Sequence, residues 1–292
     1  MKRNFVALNG MADLKNKTVL VTGATSGIGL EACVKLAGMG ADLVMVARDR
    51  ARGEAAIARV VERAGAKLPS LMLCDFASQR GVRALAGEFR KSHSRLHILV
   101  NAAGSVSPSR ELSEDGIEQT FAVNHLGYFL LTNLLLDLLE KSAPARVVNV
   151  ASIAHRTGTM DLEDPGFEKG YSIMKAYNRS KLGNVLFTRE LARRLEGTGV
   201  TANCLHPGAV STNIWSHAMW WARPFLSIAK YFMVTPEQGG DAIVFLATSP
   251  SVEGTTGGYY ERNRLVFPSR LAQDDALAAK LWDLSAKMVK LA

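Results

Sequence analysis

The sequence predicts a doubly wound α/β fold, in which a parallel sheet is covered by helices on both faces. Short apolar runs alternate with longer amphipathic stretches along most of the 292 residues. The apolar runs are nearly continuous rather than alternating in polarity, as expected for strands that are buried on both sides. A glycine-rich turn follows the first of these runs directly. Together these observations indicate one Rossmann-type domain, because the chain length suits a single large α/β unit.

Six segments have the length and the Val, Ile and Leu content of buried strands. They span residues 18–22, 42–47, 71–74, 97–101, 146–152 and 200–206. The segments between them have helical periodicity and predict helices over 27–39, 50–64, 78–92, 117–140 and 172–196. Because no linker or repeat interrupts this order, we expect residues 1–292 to form a single domain that ends in an amphipathic helix within 270–292.

Three segments need a separate interpretation. Residues 153–171 are rich in Gly, Asp and Glu and predict a loop. Residues 214–234 contain three of the four tryptophans and follow the last predicted strand. Residues 129–141, FLLTNLLLDLLEK, are apolar around most of a helix circumference. They form either part of the core or a helix–helix contact of a homodimer.

Composition and charge exclude several classes of protein. The net charge is +8, but the 35 basic residues are scattered and not interleaved with aromatic residues, so nucleic-acid binding is not expected. No segment reaches the roughly 20 apolar residues of a membrane-spanning helix, and the N-terminus lacks the apolar run of a signal peptide. Three cysteines in separate apolar runs predict buried free thiols and a cytoplasmic location. The six histidines form no metal-spaced pair, so no metal is expected, and there is no G-x-S-x-G motif of a serine hydrolase.

The turn TGATSGIG joins the first strand to the first helix. Its three glycines permit positive φ and let backbone N–H groups approach a ligand closely. The N-terminus of the following helix attracts phosphate. Glycines also form plain tight turns, and the spacing differs from the G-x-G-x-x-G fingerprint, but the position after the first strand favours a dinucleotide site. We expect the turn to contact the cofactor through Gly23, Thr25, Ser26, Gly27, Ile28 and Gly29.

The segment ARDRAR at the end of the second strand bears on the choice of cofactor. A carboxylate at this place binds the ribose 2′-hydroxyl of NAD, whereas an arginine accommodates the 2′-phosphate of NADP. Arg48 comes first and Asp49 second, so the two signals compete. The further arginines Arg50 and Arg52 favour NADP over NAD, unless they simply begin an exposed helix.

The stretch YSIMKAYNRSK contains two tyrosines, each followed four residues later by a lysine. On a helix this spacing places a phenol beside an ammonium, which lowers the pKa of the tyrosine and suits it to acid–base chemistry. Tyr171 follows two glycines at or before the helix start, so its pairing with Lys175 need not form. Tyr177 lies inside the helix, aligned with Lys181. The geometry favours Tyr177 and leaves Tyr171 open.

Six motifs in order resemble the short-chain dehydrogenase/reductase family over residues 17 to about 250. They are TGATSGIG, NAAG, AVNHLGYF, VNVAS, YNRSK and HPGAVST. NAAG departs from the family pattern at Ala102, and Ala151 stands where a second serine is common. The amino-acid sequence of the helical motifs is most similar to the retinol dehydrogenase-like branch. Protochlorophyllide reductases share much of the same sequence.

The resemblance implies a catalytic tetrad of Asn124, Ser152, Tyr177 and Lys181. It implies that Tyr177 exchanges a proton with the substrate oxygen while Ser152 binds that oxygen. It also implies that Tyr177 and Lys181 contact the cofactor, the lysine at the nicotinamide ribose, and that Asn124 supports a water chain to the lysine. Further cofactor contacts are implied at Asp75, Phe76, Asn101, Ala102, Gly104, Pro207, Gly208, Val210 and Thr212.

The expected function is NADP(H)-dependent hydride transfer to or from a lipophilic aldehyde, ketone or alcohol. The resemblance implies a substrate lid over residues 208–234, where Trp215, Trp220 and Trp221 would join Ser152 around an apolar ligand. The same tryptophans also suit buried packing, a subunit contact or peripheral attachment to a membrane. The alternatives are a protochlorophyllide- or ketosteroid-type reductase, or a cofactor-binding regulatory protein without turnover.

Overall fold

The computed structural model describes residues 13–208 and 234–291. Its strands are β1 (Thr18–Val21), β2 (Asp42–Ala47), β3 (Ser70–Leu73), β4 (Ile98–Asn101), β5 (Ala145–Val150), β6 (Val200–His206), β7 (Tyr259–Glu261) and β8 (Arg264–Val266). They form one sheet in the order β3-β2-β1-β4-β5-β6-β7-β8. β1 to β7 are parallel, and β8 pairs antiparallel with β7. The predicted doubly wound parallel sheet is confirmed.

The helices are α1 (Gly27–Gly38), α2 (Arg50–Ala64), α3 (Gln79–Ser92), α4 (Gln119–Phe121), α5 (Gly127–Leu134), α6 (Leu136–Glu140), α7 (Ile173–Arg194), α8 (Pro236–Thr248) and α9 (Asp275–Met288). Side chains from α3, α5, α6, α7 and α9 fill the core on one face of the sheet. Side chains from α1, α2 and α8 fill the core on the other face. Helices therefore cover both faces, as the sequence predicts. Across the described ranges, no helix is long and apolar enough to cross a membrane.

The order of the strands determines where a ligand can bind. From β1 the chain builds outward to β3 and then returns to the other side of β1 with β4. In doubly wound sheets, ligands bind at this switch point, outside the carboxyl ends of the strands. The turn after β1 and the chain after β4 meet there, because Thr22 Oγ1 accepts hydrogen bonds from the backbone N–H groups of Ala102 and Ala103 at 2.9 and 3.1 Å.

The helix predicted over 117–140 is wrong as a continuous element. A π-helical turn, Ala122–Leu126, separates α4 from α5, and Leu135 separates α5 from α6. Two further boundaries differ. The predicted strand over 146–152 ends at Val150, which leaves Ser152 beyond the sheet, and the predicted loop over 153–171 begins with a 3₁₀ helix, Ile153–Thr157. The short strands β7 and β8 were not predicted.

The leucine-rich stretch from 129 to 141 belongs largely to the core of this chain. Leu130, Leu131, Leu135, Leu138 and Leu139 are at most 5% exposed. Of the two interpretations of this stretch, burial within the chain therefore accounts for most of its apolar surface. The C-terminal amphipathic helix exists as α9, and its Trp282 packs edge-on against Phe129 with ring centroids 4.8 Å apart.

Candidate active site

The glycine-rich turn after β1 has the conformation and the tight packing that the sequence predicts. Gly23 and Gly27 adopt positive φ, at 65° and 56°. A Cβ atom on Gly29 would lie 2.3 Å from the carbonyl oxygen of Gly23, so only glycine allows α1 to approach the turn this closely. Ser26 is the N-cap of α1 but makes no capping hydrogen bond with its side chain. The first N–H groups of α1 thus remain available to an anion.

These features fit the pyrophosphate of a dinucleotide. The turn lies at the switch point of the sheet, where it approaches the end of β4: a Cβ on Gly23 would be 2.5 Å from the carbonyl oxygen of Ala102. Thr25 and Ile28 are half-buried and Ser26 is exposed. The turn therefore combines a crowded backbone on its inner side with an open helix N-terminus on its outer side.

At the end of β2, Asp49 and Arg48, the two residues that give competing signals for NAD and NADP, have different surroundings. Asp49 is the N-cap of α2, and its carboxylate accepts a hydrogen bond from the backbone N–H of Arg52 at 2.8 Å. Arg48 is exposed, immediately after the strand. Arg50 lies on α2 and forms an exposed ion pair with Glu54 at 3.6 Å. The carboxylate is thus engaged in helix capping, whereas the Arg48 guanidinium faces solvent.

The other predicted cofactor residues of the first half lie after β3 and β4. Asp75 is exposed, and its carboxylate accepts from the N–H of Ala77 at 3.0 Å. Phe76 is only 7% exposed and packs against Gly127 on α5, where a Cβ would be 2.7 Å from its ring. Its side chain therefore belongs mainly to the core. Gly104 is exposed after β4.

The side chain of Asn101 points into the core rather than outward. It is fully buried and donates hydrogen bonds to Thr132 Oγ1 at 3.0 Å and to Asn149 Oδ1 at 2.8 Å. Asn149 in turn donates to Thr188 on α7 at 3.0 Å. Asn101 thus joins β4 to β5 and α7, so the cofactor contact predicted for it would have to come from its backbone.

Ser152 lies two residues beyond β5, at the carboxyl edge of the sheet. It is the N-cap of the 3₁₀ helix, and its hydroxyl accepts from the N–H of Ala154 at 3.2 Å. His155 holds the chain at Ser152 in place. Its Nδ1 is 2.7 Å from the carbonyl oxygen of Ser152, and its Nε2 accepts a hydrogen bond from the N–H of Ser269 at 3.0 Å. His155 is fully buried, and burial lowers its pKa. It acts as a structural histidine, as a lone histidine near Ser152 is expected to do.

Tyr177 and Lys181 are one turn apart on α7, at the same edge of the sheet as Ser152. The Ser152 side chain lies close enough to the Tyr177 phenol to influence its pKa, and Lys181 Nζ lies 5.7 Å from the centre of the tyrosine ring. The ammonium donates to the carbonyl oxygen of Val150, the last residue of β5, at 3.0 Å. The structure thus brings together three of the four predicted catalytic side chains.

The pKa shifts within this group differ from the sequence-based expectation. Lys181 is expected to lower the pKa of Tyr177, but burial raises the pKa of the phenol, and the nearby Ser152 side chain opposes only part of that effect. Burial also lowers the pKa of Lys181 from 10.5 to about 8. Loss of hydration on burial is thus the larger cause of both shifts.

Asn124, the fourth member, lies on the π-helical turn. Its Oδ1 accepts from the N–H of Ser105 at 2.8 Å, while its Nδ2 donates to the carbonyl oxygen of Ser105 at 3.0 Å and to Ser180 Oγ at 3.1 Å. The wide turn thus lets one amide hold both the chain after β4 and the residue that precedes Lys181. π-Helical turns are frequent at functional sites.

Tyr171 occupies a different place from Tyr177. It lies two residues before the start of α7, as predicted, and its hydroxyl donates to the carbonyl oxygen of Ser107 at 2.8 Å. It anchors the segment between the 3₁₀ helix and α7, residues 158–172, which we call the Ser–Tyr loop. Arg179 anchors the same loop from α7: its guanidinium lies 3.5 Å above the ring of Phe167, and its Nε donates to the carbonyl oxygen of Thr159 at 3.0 Å.

The remaining predicted residues follow β6. Pro207 and Gly208 continue from its end, and Gly208 has a φ of 94°. A Cβ on Gly208 would be 2.3 Å from the side chain of Val234, so the chain returns directly onto this glycine. Apart from its two end residues, the predicted lid lies outside the described residues, and so do the predicted residues Val210, Thr212, Trp215, Trp220 and Trp221.

The fold and this site define the class of protein, an oxidoreductase that uses a nicotinamide dinucleotide. Comparison with known proteins agrees. Residues 17–221 match the short chain dehydrogenase family. Mouse retinol dehydrogenase 14 is 44% identical over 94% of this chain and 86% of its own length, and human retinol dehydrogenase 11 is 37% identical over 95% and 87%. The chicken WW domain-containing oxidoreductase is 40% identical over 95% of this chain and 69% of its own length.

Solved structures share this fold. An uncharacterized protein from Mycobacterium paratuberculosis superposes with a TM-score of 0.79 and 32% identity, over 96% of both chains. The active-site complex of Pseudomonas aeruginosa RhlG with NADP superposes with a TM-score of 0.70 and 26% identity, over 85% of this chain and 95% of that one. The chain belongs to the short-chain dehydrogenase family.

Sequence reasoning missed several residues that build this site. Thr22 joins the ends of β1 and β4, and Asn149 links Asn101 to α7. Both are polar residues at the carboxyl ends of otherwise apolar strands, which is a signal that could have identified them. His125 and Asn184 are fully buried beside the site, yet their partners are distant in sequence, so no local pattern indicates them.

Proposed function

We propose that this protein is an NADP(H)-dependent oxidoreductase that transfers a hydride between nicotinamide and a lipophilic aldehyde, ketone or alcohol. The observation that carries the proposal is the convergence of Ser152, Tyr177 and Lys181 at the carboxyl edge of the sheet, next to the switch point. A phenol next to a serine hydroxyl, one helical turn from a buried ammonium, suits proton exchange with a substrate oxygen.

The proposed catalytic side chains have different roles toward the substrate oxygen. Bound NADPH would supply the hydride to a carbonyl carbon. The raised pKa of Tyr177 keeps its phenol protonated near neutral pH, so it can donate a proton to the oxygen in the direction of reduction. Ser152 would bind the same oxygen through its hydroxyl and stabilise the charge that develops there. Lys181 would replace the proton on Tyr177 and bind the nicotinamide ribose, while Asn124 fixes the chain beside it.

The preference for NADP rests on the end of β2. Because the carboxylate of Asp49 caps α2, it is not free to bind a ribose 2′-hydroxyl without giving up its bond to the N–H of Arg52. The exposed guanidinium of Arg48 is suited to a 2′-phosphate. RhlG, a structural relative, was solved with NADP.

The substrate class rests on the relatives. Retinol dehydrogenases 14 and 11 are named for a long apolar alcohol. We therefore propose a retinoid-like or other lipophilic substrate for this chain.

The three free, buried thiols suit the reducing, cytoplasmic location that the sequence predicts.

The test is the loss of NADPH absorbance with retinal, long-chain aldehydes and bulky ketones, with NADH in parallel. We expect turnover with apolar aldehydes and a higher kcat/KM with NADPH than with NADH. Turnover of bulky ketones alone would favour the ketosteroid-type alternative. Tight NADPH binding without oxidation by any carbonyl compound would contradict the proposed enzyme and favour a regulatory protein.

A further inference from the structure

A line of buried polar groups leads from the proposed catalytic lysine to the C-terminal helix. Val150 O, which accepts from the Lys181 ammonium at 3.0 Å, also accepts from Nδ2 of Asn184 at 3.3 Å. At the other end, Nε2 of His125 is 2.9 Å from the hydroxyl of Ser285 on α9. Lys181 is 4% exposed, and the side chains of Asn184, His125 and Ser285 belong to fully buried residues.

Two polar atoms without hydrogen-bond partners lie in the middle of this line. Among the described residues, Nδ1 of His125 and Oδ1 of Asn184 are both buried without a hydrogen-bond partner. The two side chains are neighbours. Burial lowers the pKa of His125 to about 4, and the nearby Asn184 side chain opposes part of this effect. The helix also admits the ring closely, because a Cβ on Gly183 would be 3.0 Å from Nδ1 of His125.

One assignment of protons satisfies every group in the line. Asn184 uses its amide N–H toward Val150, so its oxygen requires a donor. A proton on Nδ1 of His125 would supply this donor and would leave Nε2 as an acceptor for the hydroxyl of Ser285. The hydrogen bonds then all run in one direction, from Ser285 through His125 and Asn184 to the Val150 carbonyl. The opposite tautomer would leave the Asn184 oxygen unpaired in the core, which is costly.

We propose that His125 and Asn184 are positioning residues for Lys181. Together with Ser285 they form a directional hydrogen-bond chain that orients the Val150 carbonyl, which in turn holds the lysine ammonium. The C-terminal helix α9 is then part of the active site, although it lies on the outer side of α7. This inference rests on the proposed function of Lys181, whereas the hydrogen-bond chain itself does not depend on catalysis.

A spectroscopic test needs no activity. In protein labelled with ¹⁵N-histidine, long-range ¹H–¹⁵N spectra report the tautomer of each of the six histidines. His125 is assigned by the signal lost in His125→Phe, a ring that suits its aromatic neighbours Phe121 and Phe187. We expect a neutral ring with the proton on Nδ1 between pH 6 and 9, and a shift of the Nε2 resonance in Ser285→Ala. A proton on Nε2, or a charged ring, would overturn the proposed chain.

A kinetic test asks whether the chain acts on the lysine. We expect Asn184→Leu to lower kcat about tenfold and Ser285→Ala to lower it about threefold, with Ser285→Thr restoring the hydroxyl and the rate. The control is Ser142→Ala, which removes another buried serine with two hydrogen bonds, to Leu138 and from Leu96. It should change the melting temperature but not kcat.

The two tests separate the possible failures. If Ser285→Ala and folded Asn184→Leu keep the wild-type kcat, the positioning role is wrong even if the tautomer is as expected. If Asn184→Leu does not fold, Ser285→Ala against Ser142→Ala decides. If the wild-type protein turns over no carbonyl compound, the proposed function fails, while the tautomer still decides the hydrogen-bond chain.

Discussion

The burial of Lys181 predicts a specific pH dependence of stability. The residue is 4% exposed, and its pKa falls from 10.5 to about 8 in the folded protein. This difference corresponds to about 3 kcal/mol of folding free energy. Below pH 8 the lysine is charged in both states, so the folded protein bears the full cost. Between about 8 and 10.5 the folded protein has lost a proton that the unfolded chain retains, so stability rises with pH.

Replacement by a neutral side chain of similar length isolates this effect. Lys181→Met should be more stable than the wild-type protein by about 3 kcal/mol below pH 8, and this difference should disappear above about pH 10.5. Val150 O keeps a donor in the variant, because Asn184 also binds it. The assay is urea unfolding of both proteins at intervals between pH 6.5 and 10.5.

A matched control lies on the same helix. Lys175 is exposed, so Lys175→Met should differ little from the wild-type protein at any pH. If the difference between wild-type and Lys181→Met stays constant across this range, the lysine titrates alike in both states. The burial of the ammonium, and the reasoning built on it, would then be refuted.

Three further predictions concern the cofactor and the Ser–Tyr loop. Gly29→Ala would place a Cβ 2.3 Å from the carbonyl oxygen of Gly23, so we expect it to weaken NADPH binding at least about tenfold. Fluorescence titration measures this binding, and unchanged binding would contradict the phosphate role of the turn. Arg48→Ala should raise the KM for NADPH about tenfold or more and leave that for NADH unchanged, and equal effects on both would argue against 2′-phosphate recognition. Arg179→Met removes the guanidinium above the Phe167 ring, so limited proteolysis should cut the Ser–Tyr loop faster than in the wild-type protein.

The features that follow from short-range pattern were predictable from the sequence. The apolar runs of β1 to β6 and the close packing of Gly29 against Gly23 each depend on residues that are near one another in sequence. The placement of Tyr171 before α7 and of Tyr177 inside it also follows from local sequence, because α7 begins at Ile173. Periodicity and glycine placement carry this information directly.

Features that depend on distant contacts were not predictable. The π-helical turn arises where Asn124 bonds to Ser105 and Ser180, on two other parts of the chain. β7 and β8 have three residues each, too few to show a period. The pKa of Tyr177 was expected to fall because of Lys181, but the depth of burial decides its direction, and burial is a property of the whole fold.

The most direct test of the account compares two single-atom deletions in the same stretch of sequence. Tyr177→Phe and Tyr171→Phe each remove one hydroxyl, from the phenol beside Ser152 and from the one that bonds to Ser107. The measurement is kcat for NADPH oxidation with the best apolar aldehyde, beside the melting temperature of each variant. We predict that Tyr177→Phe lowers kcat by a hundredfold or more, roughly the contribution of a general acid, while Tyr171→Phe stays within about threefold. Activity lost in Tyr171→Phe and retained in Tyr177→Phe would contradict the assignment of the site.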